Sequence, residues 1–195
     1  MLLLDSGANI ECKPEWLLQF AEIAAIYCEK VLGKSNPRIC LLNNGEENKK
    51  GRELEINTYE LLKQSGLNFL GNIEGKDIMM GKCDVVVTDG FSGNIALKTM
   101  EGTARAFGVI LKNSLLANYR GRFGAILARR NIKRMKKVFN ASEVGGAVLF
   151  GCNSVIVKAH GSSDGYAFRN AIRQARKTVI ENVISTLKEK LSTGR

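Results

Sequence analysis

Short apolar runs alternate along the chain with stretches whose apolar residues recur every three or four positions. The runs starting at Leu2 and held in "RICLLNN", "NFLGNI" and "DVVVTDG" are brief and continuous, as strands buried on both faces are. Between them, Pro14 to Leu32, Gly51 to Gln64 and Ile95 to Leu116 carry helical spacing, while Asp77 to Met80 fits only a turn. Strand and helix in alternation predict βαβ units, and so an α/β fold with a mostly parallel sheet. "NSVIVKAH" adds a strand, and Ser163 to Leu191 reads as one long closing helix with Ala167, Ala171, Ala175, Val179, Val183 and Leu187 on one face. Ala104 to Phe139 departs from the pattern. It lacks strand signals, repeats Leu111, Leu115, Tyr119, Phe123, Ile126 and Leu127 at helical spacing, and is interrupted by Gly121 and Gly124. It reads as two helices joined near Gly121 and projecting from the sheet body.

Composition narrows the picture. With 195 residues, 45% apolar and 25% charged, residues 1–195 can bury one core and read as a single α/β unit. The net charge of +10 is local: ten basic residues and no acidic one lie between Gly102 and Ser142, and the rest of the chain balances. Five cysteines without a C-x-x-C pair read as reduced thiols of a cytoplasmic protein, and a single histidine, His160, excludes a multi-histidine metal site. No apolar run reaches the roughly 18 residues of a membrane span. "MLLLDSG" lacks the basic start of a signal peptide and enters a buried strand at once, which reads as the C-terminal portion of a larger enzyme.

Four strand-to-helix junctions carry polar, glycine-containing loops: "DSGANIECKPE", "NNGEENKKG", "TDGFSGNIALK" and "KAHGSSDG". Beyond the carboxyl ends of parallel strands, loop N–H groups and helix N-termini favour anions. Four such loops predict one shared cleft for phosphate or a phosphate-like group. Gly7, Asn9, Asp89, Gly90, Ser92, Gly93, Lys98 and His160 are its candidate lining, and each glycine would also serve a plain tight turn. Familiar nucleotide motifs fail. "GNIEGKD" is one residue short between its glycines for a Walker A loop, no G-x-G-x-x-G occurs, and "GFSGN" has Asn94 where a nucleophile elbow needs its last glycine. Ser92 therefore reads as a capping or ligand-contacting hydroxyl rather than a nucleophile. Lys50 and Asn94 are donors on two of the loops: a lysine stabilises developing negative charge and an asparagine amide orients an oxyanion. The basic stretch from Lys112 to Lys137 has three readings. Its charges are merely solvated, or it docks an acidic protein or nucleic acid, or it meets anionic lipid through Leu111, Leu115, Leu116, Phe123, Ile126 and Leu127 beside Arg120, Arg122, Arg129 and Arg130. No nucleic-acid-binding motif supports the second reading.

On "LLDSGANIECKPE", "LLNNGEENKKG", "DVVVTDGFSGNIALKTMEG", "EVGGAVLFG" and "KAHGSS", in this order, the chain resembles the phosphate acyltransferases of bacterial phospholipid synthesis, the PlsX family. The resemblance implies conversion of an acyl carrier protein thioester and inorganic phosphate into acyl phosphate and free carrier. It also implies a homodimeric α/β/α sandwich similar to isocitrate and isopropylmalate dehydrogenases, with no metal, cofactor or nucleic acid. It makes Lys50 and Asn94 essential, with Asp89, Gly90, Gly93 and His160 nearby, and sets the helices of Leu111 to Lys137 against the inner face of the membrane. The family's amino-terminal portion, with its own glycine-rich loop, has no counterpart here, so part of the cleft is expected to be missing. Two alternatives remain: a non-catalytic lobe serving dimerisation or membrane binding, and a phosphate acetyltransferase-like enzyme using acyl coenzyme A.

Overall fold

The structure, a computed structural model, describes residues 1–138, 143–161 and 163–193. The chain, read from its sequence as one α/β unit, divides into two compact units, the first formed by Met1–Ala96 with the segment from Lys177, the second by Leu97–Arg176.

In the first unit, β1 (Leu2–Leu4), β2 (Ile39–Asn43), β3 (Phe69–Glu74) and β4 (Val85–Val87) form a parallel sheet in the order β1-β4-β2-β3. Leu2 to Leu4 align with Val85 to Val87, and Ile39 to Leu41 align with the same three valines from the other side. All three valines are fully buried, which explains their unbroken apolar run. The helix α1 (Pro14–Lys30) starts on Pro14, whose missing N–H costs nothing in a first turn. It lays Leu17, Ala21, Ala24 and Cys28 on the sheet, and α2 (Glu53–Gln64) adds Tyr59 and Leu62 to the same core. A single 3-10 turn, Gly75–Met80, replaces a helix between β3 and β4.

The expected closing helix is two. The helix α6 (Gly165–Ile180) stops at Glu181 and Asn182, the latter with φ of 51°, and α7 (Val183–Thr193) starts after them. That break explains why Val183 and Leu187 are buried while Val179 is 59% exposed, although all three share one helical stripe in the sequence. Lys177 donates to the Val31 carbonyl and so pins the junction to the end of α1.

The helix α3 (Gly90–Leu116), whose first residues to Ala96 belong to the first unit, begins five residues before the expected Ile95. The chain breaks at Ala117 and Asn118, not at Gly121. Asn118 caps α4 (Tyr119–Leu127) by accepting from the Gly121 N–H at 2.8 Å. Gly121 is needed for closeness instead, since a Cβ there would lie 2.5 Å from the Leu115 carbonyl oxygen. A third helix, α5 (Arg129–Val138), follows where two were expected; Phe139 lies outside the described residues. "IVKA" is indeed a strand, β6 (Ile156–Ala159), but it pairs antiparallel with β5 (Gly146–Leu149) in a two-stranded ribbon. "KAHGSSDG" therefore follows no strand of the parallel sheet, and the expectation of four loops on one sheet reduces to three.

Just before β4, Asp84 is buried and receives Lys34 Nζ at 2.6 Å, Arg38 Nε at 3.0 Å and the Arg38 N–H at 3.1 Å. Arg38 first and Lys34 second hold its carboxyl well below the usual carboxylate range. Because the folded value is depressed, the stabilisation is complete above the unfolded value near pH 4 and is lost as the pH falls below it. Asp84→Asn should cost about 1–2 kcal/mol at neutral pH, reduced by solvent screening of the half-exposed partners. The gap between the urea midpoints of the two proteins should then narrow progressively as the pH is lowered from about 4; a gap that persists unchanged in acid contradicts this account.

Candidate active site

The carboxyl ends of β1, β4 and β2 lie side by side, and each continues into one of the polar loops. The β1–β4 ladder runs one step past the strands, with the Asp5 N–H donating to Thr88 O at 2.9 Å and the Thr88 N–H to Leu4 O at 2.9 Å. The first loop then curls around the Asp5 carboxylate. Gly7 and Ala8 donate their N–H groups to Oδ1 at 2.8 and 3.0 Å, and Asn9 gives its N–H and its Nδ2 to Oδ2 at 2.6 and 2.8 Å. Burial pushes the Asp5 carboxyl up, but these four donors outweigh it and leave it below its ordinary value. The anion this loop holds is its own aspartate.

The β4 loop is built likewise. Asp89, 2% exposed, caps α3 by accepting from the Ser92 N–H at 2.6 Å. The Gly90 N–H donates to Asn9 O at 2.7 Å, and the Gly93 N–H to Asp89 O at 3.0 Å. Burial raises the Asp89 carboxyl, while Ser92 and Arg52 more than reverse it. A Cβ on Gly90 would lie 2.6 Å from Asn9 O, and one on Gly93 would overlap the Asp5 carbonyl oxygen. These glycines let the first turn of α3 rest on the β1 loop backbone.

The glycines of "GFSGN" thus serve the close approach of two backbones. With the N–H groups of Gly7, Ala8, Asn9, Gly90, Ser92 and Gly93 already engaged, the side chains beside these loops become the candidate ligand donors. Asn94 is exposed and lies over Gly7, its Cγ and Oδ1 each 3.5 Å from where a Gly7 Cβ would be.

On the neighbouring β2 loop, Asn43 Nδ2 donates to the Lys50 carbonyl at 2.9 Å and the Lys50 N–H donates to Glu47 O at 3.1 Å. The Lys50 stem packs over Gly45, and its exposed ammonium makes no ion pair among the described residues. Arg52, from the same loop, pairs with both Asp89 and Glu55. In the sequence Arg52 is one more basic residue of "KKGRELE" and carries no spacing signal.

Lys98 pairs with Glu101 at 2.8 Å, and it and His160 belong to the second unit. The Cys12 thiol, whose Sγ donates to Asn9 O at 3.4 Å, is pushed up by burial, with Asp89 and Asp5 adding to the effect. A thiol so placed is a poor nucleophile. A cavity of about 320 Å³ opens elsewhere, along the β3 side, lined by Asn48, Tyr59, Asn72 and Lys82 among others; neither Lys50 nor Asn94 reaches it. Among the described residues, no three His, Cys, Asp or Glu side chains gather as a metal ion would need.

A family described as Fatty acid synthesis protein matches residues 1–186. The chain belongs to that family. Its five loop and strand motifs are the ones on which it resembles the phosphate acyltransferases, and relatives of that name share about half of its residues. Phosphate acyltransferase of Bacillus licheniformis is 49% identical over 190 residues, covering 97% of this chain and 58% of the relative. That of Bacillus pumilus is 50% identical over 190 residues, covering 97% and 57%, and that of Clostridium tetani is 48% identical with the same coverage. The chain thus spans under three fifths of the length of these relatives.

Proposed function

We propose that this chain carries the acyl-phosphate-forming part of a phosphate acyltransferase that joins inorganic phosphate to the acyl group of an acyl carrier protein thioester. The observation that supports it is the meeting of three strand-end loops, which sets Asn94 over the β1 loop and Lys50 on the loop beside it, in a chain whose relatives bear that name. A phosphate oxygen attacks the thioester carbon, the carbonyl becomes a tetrahedral oxyanion, and the C–S bond breaks to release the carrier thiolate. Lys50 offsets the phosphate charge and Asn94 donates to the oxyanion. Positioned phosphate is itself the nucleophile, so no serine or cysteine intermediate enters, in keeping with the poor reactivity of Cys12. We read the parallel sheet as part of a dehydrogenase-like α/β/α sandwich, and the protein as a cytoplasmic homodimer. The test supplies acyl carrier protein or coenzyme A thioesters with phosphate and traps acyl phosphate as hydroxamate. Product from the carrier thioester supports the reading, preference for coenzyme A favours the acetyltransferase-like alternative, and no product from either removes the activity.

A peripheral membrane contact is part of the same proposal. Helix α4 buries no residue: Phe123, Ile126 and Leu127 are 65%, 70% and 72% exposed, and Leu116 before it is 43% exposed, while Leu115 is half-buried. Exposed Arg120, Arg122, Arg129, Arg130, Lys133 and Arg134 accompany them. Apolar side chains beside basic ones suit an anionic lipid surface; no described helix is long and apolar enough to cross a membrane. Phe123→Asp with Leu127→Asp should weaken flotation with phosphatidylglycerol vesicles by about 100-fold, the scale of two lost apolar burials. Undiminished flotation means that charge alone draws the helices.

A further inference from the structure

Two buried carboxylates near the proposed site share one guanidinium. Asp89, 2% exposed, belongs to the β4–α3 junction, and Glu55, 8% exposed, belongs to α2. Arg52 reaches both through Nη2, adds Nε at 3.1 and 3.2 Å to the Glu55 oxygens, and gives its own N–H to Glu55 Oε2 at 2.7 Å. The guanidinium's spread of donors suits this bridge, Nη2 serving both carboxylates while Nε adds to Glu55, whereas an ammonium carries its charge at a single point.

Arg52 lies two residues after Lys50. The residue between, Gly51, has φ of 98°, and a Cβ there would lie 2.7 Å from both Asn43 Oδ1 and Glu55 Cβ. The Lys50 backbone is therefore fixed on one side by Asn43 and Glu47 and on the other by the guanidinium. Asp89 in turn caps the helix whose first turns carry Asn94.

We infer that Arg52 is a positioning residue: through Asp89 it locks the loop bearing Lys50 to the helix start bearing Asn94, and so sets the spacing of the two groups. The inference rests on the proposed roles of Lys50 and Asn94, and its test separates the two.

Amide hydrogen exchange is measured on the chain with Arg52→Gln and Arg52→Lys. Arg52→Gln should speed exchange by about 10-fold or more at Lys50 and Gly51 and, together with them, at Ser92 to Asn94, while Val85 to Val87 keep their protection. Arg52→Lys should show a smaller rise at the same two stretches, and it carries the test should the glutamine variant fail to fold. Faster exchange at residues 50–55 with Ser92 to Asn94 unchanged overturns the inference. Inorganic phosphate affinity supplies the second readout. Arg52→Gln should weaken it by about 10-fold, with partial recovery in Arg52→Lys. Equal affinity in a folded Arg52→Gln variant also overturns the inference. An unaltered chain that binds no phosphate defeats the site reading instead, and the exchange pattern then decides alone whether Arg52 couples the loops.

Discussion

Replacing Lys50 by alanine should lower acyl phosphate formation by about 10²-fold or more, and Asn94→Ala should do the same. The two losses have different origins. In the proposed mechanism Lys50 offsets the phosphate charge, so its removal should raise the phosphate KM as well as lower kcat, whereas an amide that serves only the oxyanion should lower kcat with KM nearly unchanged. Neither change should cost much stability, because both side chains are exposed and the Lys50 loop is held by backbone contacts to Asn43 and Glu47. Initial-rate kinetics with each substrate varied checks this. Turnover near that of the unaltered protein in either variant removes that residue from the chemistry.

The second large effect is on folding. Gly93→Ala should destabilise the protein by about 3 kcal/mol or more. Its Cβ would overlap the Asp5 carbonyl oxygen and lie 2.8 Å from Thr88 Cγ2, so no flexible side chain can swing away to make room. Either the helix start lifts or the β1–β4 ladder parts beside it. The urea midpoint reads the cost, and an unchanged midpoint would mean that α3 and the β1 loop are not packed as described. A smaller loss is expected for Gly90→Ala, where the new methyl would lie 2.6 Å from Asn9 O.

The strands of the parallel sheet were legible because burial on both faces writes itself as unbroken apolar runs, as at Val85 to Val87. The relatives were legible in the loop motifs, each long enough to be specific. The start of α3 was not, because "GFSGN" has the composition of a loop; its glycines are dictated by the approaching backbones of Asp5 and Asn9, which lie some eighty residues earlier in sequence. For the same reason the glycine-rich loops looked ready to receive phosphate through their N–H groups. Sequence cannot reveal that Asp5 and Asp89 already occupy those donors, since that depends on how each loop folds back. Strand direction leaves no local mark either, so β6 read as one more parallel strand although it pairs antiparallel with β5. Arg52 needed the third dimension altogether, its partner Asp89 being 37 positions away.

The central claim is that the ends of β1, β4 and β2 present Lys50 and Asn94 to one anion. Titration of isotope-labelled protein with inorganic phosphate, followed by nuclear magnetic resonance, addresses it most directly. The Lys50 and Asn94 signals should move together along one saturation curve, with those of the cavity residues Asn72 and Lys82 at rest; separate curves, or movement of only one of the pair, would contradict a common site.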